Sequence, residues 1–256
     1  MLTIYGVLRS RASRNVWMAL ELGVPFTNVP ILPEYCVVHL EPRARPPHSG
    51  SADFLKINPN GTVPSLVDDD VVLHESMAIN LYLARKHGGP IAGHTLAEEG
   101  LLTMWTLWAA TNVESAAVDI LHHRLTYPKR KKDENVAANA IKALHAPVRV
   151  LEAELAGRQW LVGDRFTVGD LNVSEVVKCA SPASELFESP PHVRGWLVRC
   201  QNRPLYIETM RRGRWHRRHT SARPTRPRHL LTPQQAPALR SRQLPQLGHW
   251  WAIGKF

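Results

Sequence analysis

The apolar positions of the chain fall first into a short strand-like run, Leu2 to Tyr5. They then take helical spacing at Val16, Ala19 and Leu20, which Gly23 and Pro25 bring to a stop. Phe26 to Ile31 is apolar enough for a second strand, and two strands joined by a helical crossover run parallel. Pro33 to Asp53 holds four prolines and reads as irregular. VPSLV and VVL then flank Asp68, Asp69 and Asp70, which predicts a hairpin, and Ala78, Ile79, Tyr82 and Leu83 place a helix over Ser76 to Lys86.

The order β-α-β followed by β-β-α is the thioredoxin-like α/β arrangement, predicted over residues 1–87. Gly88, Gly89 and Pro90 mark a linker, and every periodic signal beyond it is helical, so residues 91–210 read as an all-α domain. Leu101, Met104, Trp105 and Trp108 form one stripe, read as core. Val136, Ala140, Leu144, Val148, Leu151 and Leu155 form another, with Pro147 expected to bend that helix. Lys129 to Lys132 beside Pro128 reads as a solvated turn between helices. In Phe166 to Leu171, Thr167 caps a helix, Asp170 answers the cap's amide and Phe166 staples to Leu171. That role is structural, so Asp170→Ala is expected to impair folding at about 1 kcal/mol for a lost cap.

Charge changes the picture at one end only. The 256 residues carry 32 Lys+Arg against 22 Asp+Glu, but Arg211 to Phe256 contributes 11 of the cations and no acid. The rest of the chain is therefore nearly neutral. The basic segment 211–256 has five prolines and no sustained period, and it reads as a disordered low-complexity tail. It shows no recognisable binding motif, so nucleic acid is not the expected partner. The abrupt loss of acids also fits an altered or read-through reading frame. At the other end, Arg9, Arg11 and Arg14 in RSRASR have the look of a transit peptide, but the segment fits a β-α opening and is read as structure. No apolar run approaches the ~18 residues of a membrane span. Cys36, Cys179 and Cys200 are scattered and odd in number, which argues against disulfides and a zinc site and for a reducing cytoplasm. His39, His122 and His123 lack a second ligand pair at metal spacing, so no metal is expected.

FLKINPNGTVPSLVDDDVVLHESMAINLYLARKHGG followed by WLVGDRFTVGDL resembles the cytosolic glutathione transferases. The resemblance covers about Met1 to Met210 and combines N-P-x-G-x-V-P, the E-S pair opening a helix, and the capped staple. Read physically, Val63-Pro64 is either an edge-strand proline or a cis peptide that turns the Val63 backbone outward to pair with an extended peptide. The resemblance implies the second, with glutathione as the peptide. Glu75 and Ser76 can cap a helix by themselves. The resemblance further implies that Ser76 and the helix amides hold the γ-glutamyl carboxylate, while Glu75 takes up positive charge at that end, directly or through a neighbour. Thr62 stands where the family often has Lys or Gln for the glycine end, and His48 and Lys56 are the remaining basic candidates nearby.

Ser10 follows the first strand, where the plain reading is an N-cap. In serine-type members of the family this hydroxyl donates to the glutathione sulfur, and IYGVLRSRASR aligns Ser10 with it. A thiol has a pKa of ~8.5, and a hydroxyl bond with a helix N-terminus is able to lower it by a unit or more. Arg11 and Arg14 are read as surface guanidinium groups. Ser13 and Tyr5 are the rival donors, and the absence of a nearby cysteine excludes branches that form a mixed disulfide there. The resemblance implies a homodimeric enzyme that conjugates glutathione to an apolar electrophile, in a pocket for which Trp105, Trp108 and Asn112 are candidates. The alternative is a non-catalytic glutathione-binding or interaction module with the same fold.

Overall fold

The computed structural model describes residues 1–220, with side chains through residue 213. Strand β1 (Leu2–Tyr5) buries alternate residues and leads through a loop to helix α1 (Ala12–Glu21) and strand β2 (Thr27–Val29). Gly23 ends α1 at φ 65°, where its amide and that of Val24 reach back to the Leu20 and Ala19 carbonyls. The proline-rich stretch contains only 3-10 turns, an isolated bridge between Leu32 and His48, and the one-turn helix α2 (Ala52–Leu55). Strands β3 (Ser65–Asp68) and β4 (Val71–His74) form the hairpin about Asp69, and α3 (Ser76–His87) follows. The sheet order is β2-β1-β3-β4, with β1 parallel to β2 and antiparallel to β3. This is the thioredoxin-like arrangement.

Beyond the linker the chain is helical: α4 (Leu96–Asn112), α5 (Glu114–Ile120), α6 (Glu134–Glu154), α7 (Val168–Val177), α8 (Pro191–Gln201) and α9 (Pro204–Thr220). A π-helical turn, Leu121–Thr126, closes α5. No helix among the described residues is long and apolar enough to cross a membrane. Helix α7 is buried along its whole length and packs on α1, α3, α4 and α5, so one hydrophobic core runs through both domains. Pro147 lies inside α6, and Lys129–Lys131 forms an exposed 3-10 turn between helices, as the solvated-turn reading predicts.

Two expectations are corrected here. Helix α4 buries Leu102, Trp105, Thr106 and Ala109 against α7, which leaves Leu101 and Met104 about half exposed. The apolar stripe read as core therefore splits between two faces. Basic residues 211–220 extend α9 rather than opening a structureless tail. Glu208 pairs with Arg211 and Arg212 three and four residues on, and Gly213 lies against Leu8. The rest of the segment, 221–256, lies outside the described residues.

The linker is fastened from the helical side. Arg165 donates to the carbonyls of Pro90 and Ala92 and, bidentately, to Glu98 in the first turn of α4. Those bonds and the His94 amide lower the Glu98 carboxyl from 4.5 to about 2. A depressed folded value stabilises the native state above the ordinary value of 4.5, and the contribution disappears as pH falls from there toward 2. Glu98→Gln is expected to cost about 1 kcal/mol at neutral pH, after solvent screening. It should cost nothing near pH 2, and thermal unfolding followed across that range checks both limits.

Candidate functional site

The loop from Gly6 to Arg11 continues the pairing of β1 with β2, since the Gly6 and Val7 amides donate to the Val29 and Ile31 carbonyls. Gly6 has φ +140°, a conformation that side chains rarely adopt, and a Cβ there would sit 2.7 Å from Ala12 Cβ. The same point lies 3.3 Å from Val63 Cβ and 3.4 Å from Ser10 Oγ. Val63-Pro64 is a cis peptide bond, as the second of the two readings of this proline expects. The β1–α1 loop and the Val63-Pro64 loop thus meet over Gly6, with the Ser10 hydroxyl between them.

Ser10 is half-buried, and its hydroxyl donates to the Val7 carbonyl at 2.8 Å while its oxygen accepts the Ala12 amide at 3.2 Å. Ser13 is buried with its hydroxyl on the Ser10 carbonyl, and Tyr5 packs its ring against Phe54. Thr62 is exposed and accepts from Asn58 through both carbonyl and hydroxyl. His48 is half-buried on the Pro46 carbonyl, and its neighbour Ser49 lies against Gly61, which brings the His48 and Thr62 loops together. Lys56 is exposed and paired with Asp53. Among the described residues no cluster has the makings of a metal site.

Two expectations about charge and capping fail at the start of α3. Neither Glu75 nor Ser76 caps the helix with its side chain. Glu75 is exposed and takes φ 68°, a left-handed backbone that costs a non-glycine residue about 1 kcal/mol or more and clusters at functional sites. Ser76 is buried and accepts a hydrogen bond from Arg14, whose guanidinium is itself buried rather than solvated. Arg14 points inward because Glu114 of α5 supplies a counter-charge within the interface between the domains, 2.9 Å away. Arg11 reaches the same carboxylate at 2.8 Å. The two guanidinium groups outweigh burial and hold the Glu114 carboxyl below its ordinary value.

A second buried network was invisible in the sequence. Asn15 donates to the Ser76 carbonyl and to Asn80, Asn80 donates to Asn172 of α7, and Asn172 donates to Thr106 of α4, at 2.7 to 3.2 Å. All four side chains are buried. The available signal was the presence of polar side chains on helices otherwise filled with core residues. Of the pocket candidates, Trp105 is buried edge-to-face on Trp108, and Asn112 is exposed with its amide on the Trp108 carbonyl.

Two family profiles match the chain, the glutathione S-transferase N-terminal domain over residues 9–86 and the C-terminal domain over 115–204. Glutathione S-transferase 3 of Zea mays is 31% identical over 165 residues, a stretch that covers 62% of this chain and 74% of the maize protein. The chain belongs to the glutathione S-transferase family. Glutathione S-transferase GstB of Escherichia coli strain K12 is 29% identical over 208 residues, covering 80% of this chain and 95% of that protein. The theta class glutathione S-transferase of Xanthomonas axonopodis pv. citri, crystallised with glutathione bound, superposes with a TM-score of 0.68 at 26% identity. That match covers 81% of this chain and 96% of the Xanthomonas protein. Both domains of the family are therefore present in this glutathione S-transferase, in the usual order.

Proposed function

We propose that this glutathione transferase binds glutathione across the junction of the two loops, with Val63 beside Pro64 pairing along the cysteinyl backbone and Ser76 taking the γ-glutamyl carboxylate. In this reading Ser10 turns its hydroxyl from Val7 to the glutathione sulfur. The thiol proton leaves to solvent, the sulfur forms a bond to an electrophilic carbon, and that carbon releases its leaving group or opens its double bond. Glu75 adds negative charge beside Arg11, on which it acts electrostatically, and His48 and Thr62 face the glycine end. The observation that carries the reading is the placement of Ser10 Oγ and Val63 about the one point over Gly6, with Ser76 held by Arg14 and Asn15 of α1, the helix that follows Ser10.

The non-catalytic reading is favoured by one observation, that the Ser10 hydroxyl already serves its own loop as donor and acceptor. The half-exposed Leu101, Met104 and Leu107 on α4, with Val72 on β4, suit a symmetric dimer in which a second copy covers them. The free thiols Cys36, Cys179 and Cys200 fit a reducing cytoplasm.

Calorimetric titration of glutathione into the full chain, run beside sedimentation and a panel of electrophiles, tests the set. Saturable binding with turnover by a twofold species is expected. Binding without turnover across the panel would leave the interaction module, and no binding would remove the transferase reading.

A further inference from the structure

The Ser76 hydroxyl accepts from Arg14 Nη1 at 3.1 Å, and the Ser76 carbonyl accepts from Asn15 Nδ2 at 2.7 Å. A hydroxyl has one proton and two lone pairs. The guanidinium occupies a lone pair and leaves the proton, which has no acceptor among the described residues. Ser76 is thereby prepared as a donor, and its position at the start of the twelve-residue α3 favours an anion.

Arg14 is only 3% exposed, and a guanidinium that deep needs a fixed counter-charge. Its carboxylate partner is Glu114, which lies on α5 in the helical domain, 100 residues away in sequence. Arg11 and Arg14 share that one carboxylate oxygen. The Arg14 guanidinium therefore serves two ends, its ion pair in one domain and the serine hydroxyl in the other.

We infer that Glu114 is a positioning residue for the glutathione site: by holding Arg14 from the helical domain, it sets the Ser76 hydroxyl as the donor to the γ-glutamyl α-carboxylate. The inference rests on the reading of Ser76 as the γ-glutamyl contact. It makes the anion grip a joint product of the two domains, so that displacement of α5 weakens glutathione at Ser76 without touching Ser10 or Val63.

The test is calorimetric titration of the full chain and of Glu114→Gln with two ligands, glutathione and the analogue that lacks the γ-glutamyl α-carboxylate. The variant keeps the shape of Glu114 and removes its charge. The expected result is about tenfold weaker binding of glutathione by the variant and a change within about twofold for the analogue. Loss of a purely structural ion pair would weaken both ligands alike, and that outcome overturns the inference. Equal glutathione affinity in variant and wild type overturns it too. If wild type binds glutathione no better than the analogue, the reading of Ser76 falls and the inference with it; if wild type prefers glutathione and the variant keeps that preference, the inference alone falls. Glu114→Asp, which retains the charge but is one methylene short, is read the same way should the neutral variant fail to fold.

Discussion

Asp170→Ala is expected to remove about 3–5 kcal/mol of stability, because each buried donor left without a partner costs about 1–3 kcal/mol. Asp170 is fully buried and accepts four hydrogen bonds. Its Oδ2 takes the Thr167 amide and hydroxyl at the start of α7, and its Oδ1 takes the Leu161 amide and the Trp196 indole of α8. The cap is thus half of its work. Alanine would strand two backbone amides and an indole N–H in the core around α7, the helix on which both domains pack. A loss of this size is a large part of the 5–15 kcal/mol typical of a folded domain. Urea unfolding checks it, with the slope unchanged if the native state is otherwise intact. Asp170→Asn keeps one acceptor oxygen and is expected to lose less. A loss near 1 kcal/mol for alanine would mean that the cap alone mattered and that the stranded donors find water.

Ser10→Ala is expected to lower turnover about tenfold to hundredfold, since a hydrogen bond to a charged acceptor contributes about 1.5–3 kcal/mol and each 1.4 kcal/mol is a factor of ten. Affinity for glutathione should hold within about threefold, because the proposed mode has Val63 and Ser76 grip the peptide elsewhere. The apparent pKa in the pH profile of kcat/KM for the electrophile, taken at saturating glutathione, should rise by about a unit as the thiolate loses its donor. The Ser10 proton rests on the Val7 carbonyl, and rotation about the Cβ–Oγ bond is all that redirects it. Unchanged turnover would sink the assignment. Ser13→Ala and Tyr5→Phe would then locate the donor, although the Ser13 hydroxyl is buried on the Ser10 carbonyl and the Tyr5 ring packs on Phe54.

The elements built on local signals were legible in the sequence. The β1–α1–β2 crossover, the hairpin about Asp69, the linker at Gly88 to Pro90 and the Thr167 cap each depend on residues within a few positions of one another. Spacing and turn chemistry are enough to specify them. Ser10, Val63 and Ser76 were likewise singled out from motifs, but the approach of Ser10 to Val63 was not legible, since it depends on how the β1–α1 loop folds over Gly6. A stripe at helical spacing shows that a helix has an apolar face without showing what covers it, so Leu101 and Met104 looked like core until α7 was seen packing against the other side of α4. Arg14 looked like a surface cation for the same reason.

Which segments are strands and helices, and which residue types stand at their ends, follows from the chain alone, because those preferences act along it. The fate of the buried polar groups follows only from how the elements pack. Arg14 with Glu114, Asn80 with Asn172 and Asp170 with Trp196 are separated by 100, 92 and 26 residues. Burying any one of them is costly until its partner arrives, and the partner arrives only when the two domains close for the first two pairs and when α8 packs on α7 for the third.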